Sequence, residues 1–280
     1  MATTLDTASQ APPKRTSEED LVRAAKRKDR ITTWSWRIAG YVFFLGIWEL
    51  ASGRLMDENL LPGPSTVFRT FGELWATGEV PGAFATTLSR IAVGFAIAFV
   101  VGVGIGILMQ NRFLNGFFRD AVTIGVTTPG LIWALITAII FGNRTVGPIL
   151  AIVLTTFAII TVNVSEGIKS LPKDLLDMGK SFDVSLYKRN RHIVIPHLAP
   201  FIFTGVRFGF SIAWKVTVLT EVFAASEGIG FEMRTATQLF RLDEFLTWIL
   251  AFYVFALLLD KVVLESMERR FFAWRGELKS

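Results

Sequence analysis

Polar and apolar positions fall in long blocks along this chain. Residues 91–109, 121–143 and 145–165 carry no charge. As helices rising about 1.5 Å per residue, each is long enough to cross a hydrocarbon layer of about 30 Å. Three further blocks are interrupted by charge: 36–50 by Arg37 and Glu49, 199–221 by Arg207 and Lys215, and 245–263 by Asp260 and Lys261. Lipid leaves only helices or closed barrels with satisfied backbones, and strand-like alternation is missing from these blocks. The pattern predicts an all-α membrane protein with six transmembrane helices.

Between the fourth and fifth blocks lies a charged stretch, 171–196, LPKDLLDMGKSFDVSLYKRNRHIVIP. Leu171, Leu175, Met178 and Phe182 recur at i, i+4, i+7 and i+11, one apolar face of a surface helix. A second short element, SLYKRNRHIVI, is expected to stop at Pro196, whose ring suits a kink or the start of the next helix. The pattern fits two roles, an interfacial helix on anionic lipid and a docking site for a partner.

Composition agrees with the blocks. The 280 residues are 51% hydrophobic, with 25 Phe and 8 Trp, and the mean hydropathy is +0.47. That is too apolar for an ordinary soluble domain. With an inside N-terminus, the inner segments hold Lys14, Arg15, Arg23, Lys26, Arg27, Lys28, Arg30, Arg112, Arg119, Lys169, Lys173, Lys180, Lys188, Arg189, Arg191, Arg269, Arg270, Arg275 and Lys279. The outer ones hold only Arg54, Arg69, Arg90, Arg144, Arg234 and Arg241. This asymmetry puts both termini and 171–196 in the cytoplasm and accounts for the net charge of +5 without nucleic acid.

Residues 1–33 read as a cytoplasmic tail ending in a short basic helix, EEDLVRAAKRKDR. Residues 34–268 read as the transmembrane domain, and 269–280 as a cytoplasmic tail. No cleavable signal peptide is evident, because about thirty polar residues precede the first apolar block. The chain has no cysteine, so disulfide and thiolate chemistry are excluded.

The fifth block carries a polar stripe. At about 100° per residue, Thr204, Arg207, Ser211, Trp214, Lys215 and Glu221 fall on one side, while Gly205, Gly209 and Ala213 repeat every fourth residue on the reverse, a close-packing face. Charges in lipid usually face a bundle interior or an aqueous cavity, and two cations suit an anion. A structural alternative stands beside this: Arg207 pairs with a carboxylate or lipid phosphate, and Lys215 snorkels outward.

The stretch 171–196 resembles the EAA signature of ATP-binding cassette importer permeases, a Glu-Ala-Ala triplet followed at set spacing by Gly and then Ile-x-Leu-Pro. The matching positions are Asp177, Met178 and Gly179, then Asp183 where the family has Gly, then Ile193, Val194, Ile195 and Pro196. The similarity extends over about residues 36–275, through NLLPGPSTVFRTFGEL, TGVRFGFSIAW, LTEVFAASEGIGF and LLLDKVVLESMERRFFAWR, to the permeases of nitrate, sulfonate, taurine, bicarbonate and thiamine-precursor importers. The resemblance implies a type I, MetI-like permease in a bacterial inner membrane. It implies a homodimer served by two ATPase subunits that bind ATP and Mg, and an extracytoplasmic solute-binding protein. Leu175, Asp177, Met178, Gly179, Phe182, Asp183, Ile193 and Pro196 would couple to the ATPase. The polar stripe would line the path of a small anionic solute.

The chain holds no complete phosphate-binding loop. Gly179-Lys180-Ser181 reproduces the end of one, but Asp174 stands where Gly is required and no apolar strand precedes it. ATP must then be burned by a partner, so the chain is not expected to be an enzyme. His192 and His197 are five apart across a Pro and form no i, i+4 metal pair, and no metal or resident cofactor is expected. Gly102, Gly104 and Gly106 lie inside an uncharged block and predict helix packing. Pro129 and Gly130 predict a break or kink in the third block. Two other classes fit the blocks: an ion-coupled secondary transporter, disfavoured by the lack of internal repeats, and a membrane scaffold.

Overall fold

The computed structural model describes residues 16–264 together with residue 266. The readings on residues 1–15 and on the tail 269–280, with Lys14, Arg15, Arg269, Arg270, Arg275 and Lys279, lie outside the described residues. Eleven α-helices are described: α1 Thr16–Ala51, α2 Pro64–Ala76, α3 Glu79–Leu108, α4 Arg112–Thr127, α5 Gly130–Phe141, α6 Val146–Lys169, α7 Lys173–Ser181, α8 Leu186–Arg189, α9 Ile195–Ala224, α10 Ile229–Gln238 and α11 Leu242–Leu259.

Among the described residues, four helical stretches are long and apolar enough to cross a membrane, Glu79–Leu108, Val146–Lys169, Leu186–Ala224 and Leu242–Val262, or five if the bent pair α4 and α5 makes one span, against the six expected. The third block is broken at the Pro129 and Gly130 position where a break or kink is expected. α4 and α5 meet at 100°, because Pro129 caps α5 in an extended conformation and cannot continue a helix from Thr128. The basic segment around residue 23 is not a separate short helix either. It runs into 36–50 as the single 36-residue α1.

α6 is the axle of the bundle. Its faces pack against α3, α9, α4 and α5, and small residues on the neighbours make this possible. A Cβ built on Gly102 of α3 would lie 2.8 Å from both Ile160 Cβ and the Phe157 carbonyl, and one on Gly106 would lie 2.8 Å from Val164 Cβ. A Cβ on Gly209 of α9 would stand 2.8 Å from Thr156 Cγ2. Backbones this close allow Thr161 Oγ1 to donate 3.1 Å to the Gly102 carbonyl, an interhelical bond of the kind worth about 0.6 kcal/mol in lipid.

One end of the bundle is an aromatic cluster. Trp75 stacks on Phe255, Phe255 on Phe84, and Trp214 on Phe252. Trp248, Ile229, Met233 and Ala236 are buried beside them. This cluster seats α10, the short polar helix that follows α9.

Candidate functional site

α7 begins after Pro172, with Asp174 in its first turn and Lys180 in its last, both favourable to the helix dipole. Leu175, Met178 and Phe182 are 41%, 50% and 77% exposed, so the apolar face predicted from their spacing stands uncovered in this chain. The opposite side is seated. A Cβ on buried Gly179 would lie 3.3 Å from Arg189 Cδ and 3.7 Å from Ile193 Cδ1. Asp177 pairs with Lys180 at 2.9 Å, an exposed local bridge of small worth. Asp183 has φ of 52°, the left-handed region, and the turn closes with the Val184 amide donating 2.9 Å to the Gly179 carbonyl.

The second element does not stop at Pro196. α8 runs through a π-helical segment, Asn190–Val194, into α9, so that Leu186–Ala224 is one 39-residue helical stretch. Pro196 occupies the first turn of α9, where a missing N–H costs least. The π segment directly before it shifts the hydrogen-bonding register ahead of the ring. Of the eight residues on this platform, Gly179 packs against Ile193, Asp183 shapes the turn, Asp177 pairs only with Lys180, Leu175, Met178 and Phe182 project, and Pro196 is exposed.

Along α9 the six stripe residues divide. Thr204, Arg207, Ser211 and Lys215 are exposed, one per turn, while Gly205, Gly209 and Ala213 on the reverse are buried. Trp214 is only 4% exposed and belongs to the aromatic cluster. Glu221 is wholly buried.

Glu221 is the centre of a polar node that ties α3, α9 and α10. Arg90 Nη1 donates to Glu221 Oε1 at 2.7 Å and to the Glu227 carbonyl at 2.8 Å. Thr87 Oγ1 lies 3.0 Å from Glu221 Oε2 and accepts from the Ile229 amide at 3.0 Å. The Gly230 amide donates to Glu221 Oε2 at 3.1 Å. Gly228 holds φ of 105°, and a Cβ there would meet Glu221 Oε1 at 2.5 Å, so no other residue fits this turn.

Arg90 is therefore not an outer-segment cation: it is 4% exposed and sits inside α3. Arg234 is similarly occupied, donating to the carbonyls of Val222 and Ala225. Sequence reasoning passes over Thr87 and Arg90. Their i, i+3 spacing on the helix leading into an uncharged block is the only signal they offer. Among the described residues, no cluster of three His, Cys, Asp or Glu is placed to hold a metal.

The profile of a known family, described as "Binding-protein-dependent transport system inner membrane component", matches residues 94–272. The bicarbonate transport system permease protein CmpB of Synechococcus elongatus is 30% identical over 81% of this chain and 85% of its own length. The putative aliphatic sulfonates transport permease protein SsuC of Bacillus subtilis is 28% identical over 83% of this chain and 84% of its own. The taurine transport system permease protein TauC of Escherichia coli is 27% identical over 83% and 86%. Among solved structures, an inward-facing conformation of the MetNI methionine ABC transporter superposes with a TM-score of 0.60 at 15% identity, covering 71% of this chain and 98% of the matched one. That likeness establishes a shared fold, the type I permease fold. The profile match and the CmpB identity together place the chain in the family of binding-protein-dependent transport system inner membrane components.

Proposed function

We propose that two copies of this chain form the pathway of an ATP-driven importer for a small anionic solute, each copy crossing the bacterial inner membrane six times. Both termini and residues 171–196 face the cytoplasm. Two ATPase subunits, which bind ATP and Mg, grip α7 through Leu175, Met178 and Phe182, with Asp177, Gly179, Asp183, Ile193 and Pro196 holding the platform. An extracytoplasmic binding protein delivers the solute to the other side. Thr204, Arg207, Ser211 and Lys215 line the path, and Trp214 and Glu221 support it from behind.

One observation carries this reading: an exposed polar line, one residue per turn, runs along a helix whose reverse is buried on α6. A cation in a membrane span is costly unless it serves an aqueous or ligand-bearing space. The named substrates of CmpB, SsuC and TauC are bicarbonate, aliphatic sulfonates and taurine, all of which carry an anionic group.

Reconstitution tests it. The chain co-purified with its ATPase and supplied with binding protein in proteoliposomes is expected to take up solute only with ATP. Deleting residues 173–181 should abolish uptake, and Lys215→Ala or Arg207→Ala should reduce it at normal expression. Uptake by the chain alone, collapsed by an ionophore, would overturn the proposal in favour of ion coupling.

A further inference from the structure

The turn from α10 into α11 closes in a Schellman motif. The Arg241 amide donates 2.9 Å to the Ala236 carbonyl, and the Phe240 amide donates 3.2 Å to the Thr237 carbonyl. Phe240 holds the left-handed backbone that this motif demands, with φ of 58°. Glycine is the usual occupant of that position, because any Cβ is strained there and a bulky side chain is a true outlier.

Packing within the chain does not repay the strain. Phe240 is 87% exposed and the adjoining Leu239 is 55% exposed. The two form an apolar knob on a turn whose other residues, Thr237, Gln238 and Arg241, are polar and exposed as well. Strain kept at an exposed position, with no internal contact to offset it, points to a contact made outside the chain.

The rim of the knob is acidic. Glu79 and Glu244 lie close enough to Glu232 to act on its carboxyl, and Asp243 accepts from Thr70 Oγ1 at 3.4 Å. Arg241, the adjacent cation, is already bridged to Glu244 at 3.1 Å. An anionic lipid surface is repelled by such a rim, which argues against a membrane anchor. A protein with an apolar socket edged by Lys or Arg complements both the knob and its charge.

We infer that Leu239 and Phe240 are the knob on which the extracytoplasmic solute-binding protein seats, the Phe240 ring entering an apolar socket with a basic edge. The inference rests on the permease reading above, which puts this turn outside, one crossing beyond α7. It adds a point of contact and its chemistry to a partner that the reading leaves undocked. An aromatic anchor in a pocket carries a large share of an interface's binding energy. The two backbone bonds of the turn hold the ring out in advance, so little freedom is lost on seating.

The test uses the full chain with its ATPase in lipid nanodiscs and the binding protein that supports uptake in the assay above. Docking is read by surface plasmon resonance at low and high salt. It is expected to saturate, to weaken with salt, to fall about tenfold or more in Phe240→Gly and Phe240→Asn, and to be kept by Phe240→Trp. Gly and Asn both suit the left-handed backbone, so these variants should melt no lower than the wild type, which separates lost docking from lost folding. The chain has no cysteine, so a nitroxide on Phe240→Cys is its sole label. That label should be open to a water-soluble nickel chelate and become shielded when the binding protein is added. The inference is overturned if Phe240→Gly docks like the wild type, if it docks weakly only because it melts lower, if salt has no effect, or if lipid already shields the label. ATP-driven uptake with docking indifferent to Phe240 removes this contact alone, and absence of that uptake removes the permease reading and the contact with it.

Discussion

Arg90 and Glu221, 131 residues apart in sequence, meet at 2.7 Å with 4% and 0% of their side chains exposed. Neither charge reaches solvent, so each depends on the other. Truncating one partner, as in Glu221→Ala or Arg90→Ala, should cost about 3–5 kcal/mol, because a buried charge is left alone. The expected result is a sharp fall in folded yield and melting temperature in detergent. The paired replacement Arg90→Met with Glu221→Met should recover much of it. Single variants that melt like the wild type would refute the node.

Asp183 holds a left-handed backbone with φ of 52°. Glycine enters that region without a Cβ penalty, so Asp183→Gly should stabilise the turn by about 0.5–1 kcal/mol, and Asp183→Val should destabilise it by more. Hydrogen exchange at the Val184 amide, bonded to the Gly179 carbonyl, reads the turn directly. Faster exchange in the glycine variant would contradict the strain.

Two glycines on α3 provide an internal control. A Cβ on Gly104 meets nothing within 4 Å, whereas one on Gly102 would crowd Ile160 and Phe157. Gly104→Ala should be neutral or stabilising by up to about 1 kcal/mol. Gly102→Ala should destabilise by about 1–3 kcal/mol through overpacking. Thermal melts of the two variants side by side decide it, and equal behaviour would mean that α3 does not pack on α6 through Gly102.

Burial first, and then the nearby carboxylates Glu79 and Glu244, raise the Glu232 carboxyl above its ordinary value of 4.5. The folded chain then binds this proton more tightly than the unfolded one, so the contribution is present below the ordinary value and is lost as pH rises through the raised one. Glu232→Gln should raise the melting temperature relative to wild type at neutral pH, with the gap closing as pH falls toward 4.5. A gap that widens on acidification would reverse the sign of the argument.

Local periodicity is legible in this sequence, and long-range pairing is not. The faces of α7 and of α9 follow from residues three or four apart. The break at Pro129 follows from its ring, which excludes helix at Thr128. Arg90 reads as a loop cation because its partner is supplied by a distant helix. Glu221 reads as a stripe residue because angle alone places it near Arg207, while burial is decided by α3 and α10. Trp214 is misplaced for the same reason: its neighbours Phe252 and Phe84 belong to other helices. The helix through Pro196 escapes prediction because the π segment before it has no distinctive composition.

The continuity of Leu186–Ala224 gives the molecule a lever. Thirty-nine residues span roughly 58 Å, so a tilt of roughly 5° at one end displaces the other by roughly 5 Å. Its foot carries α7, clasped at Gly179, and its head is bolted to α3 and α10 through Glu221. A push on the foot reaches the head along one continuous helical backbone, with the π segment and Pro200 as the points where that backbone can bend.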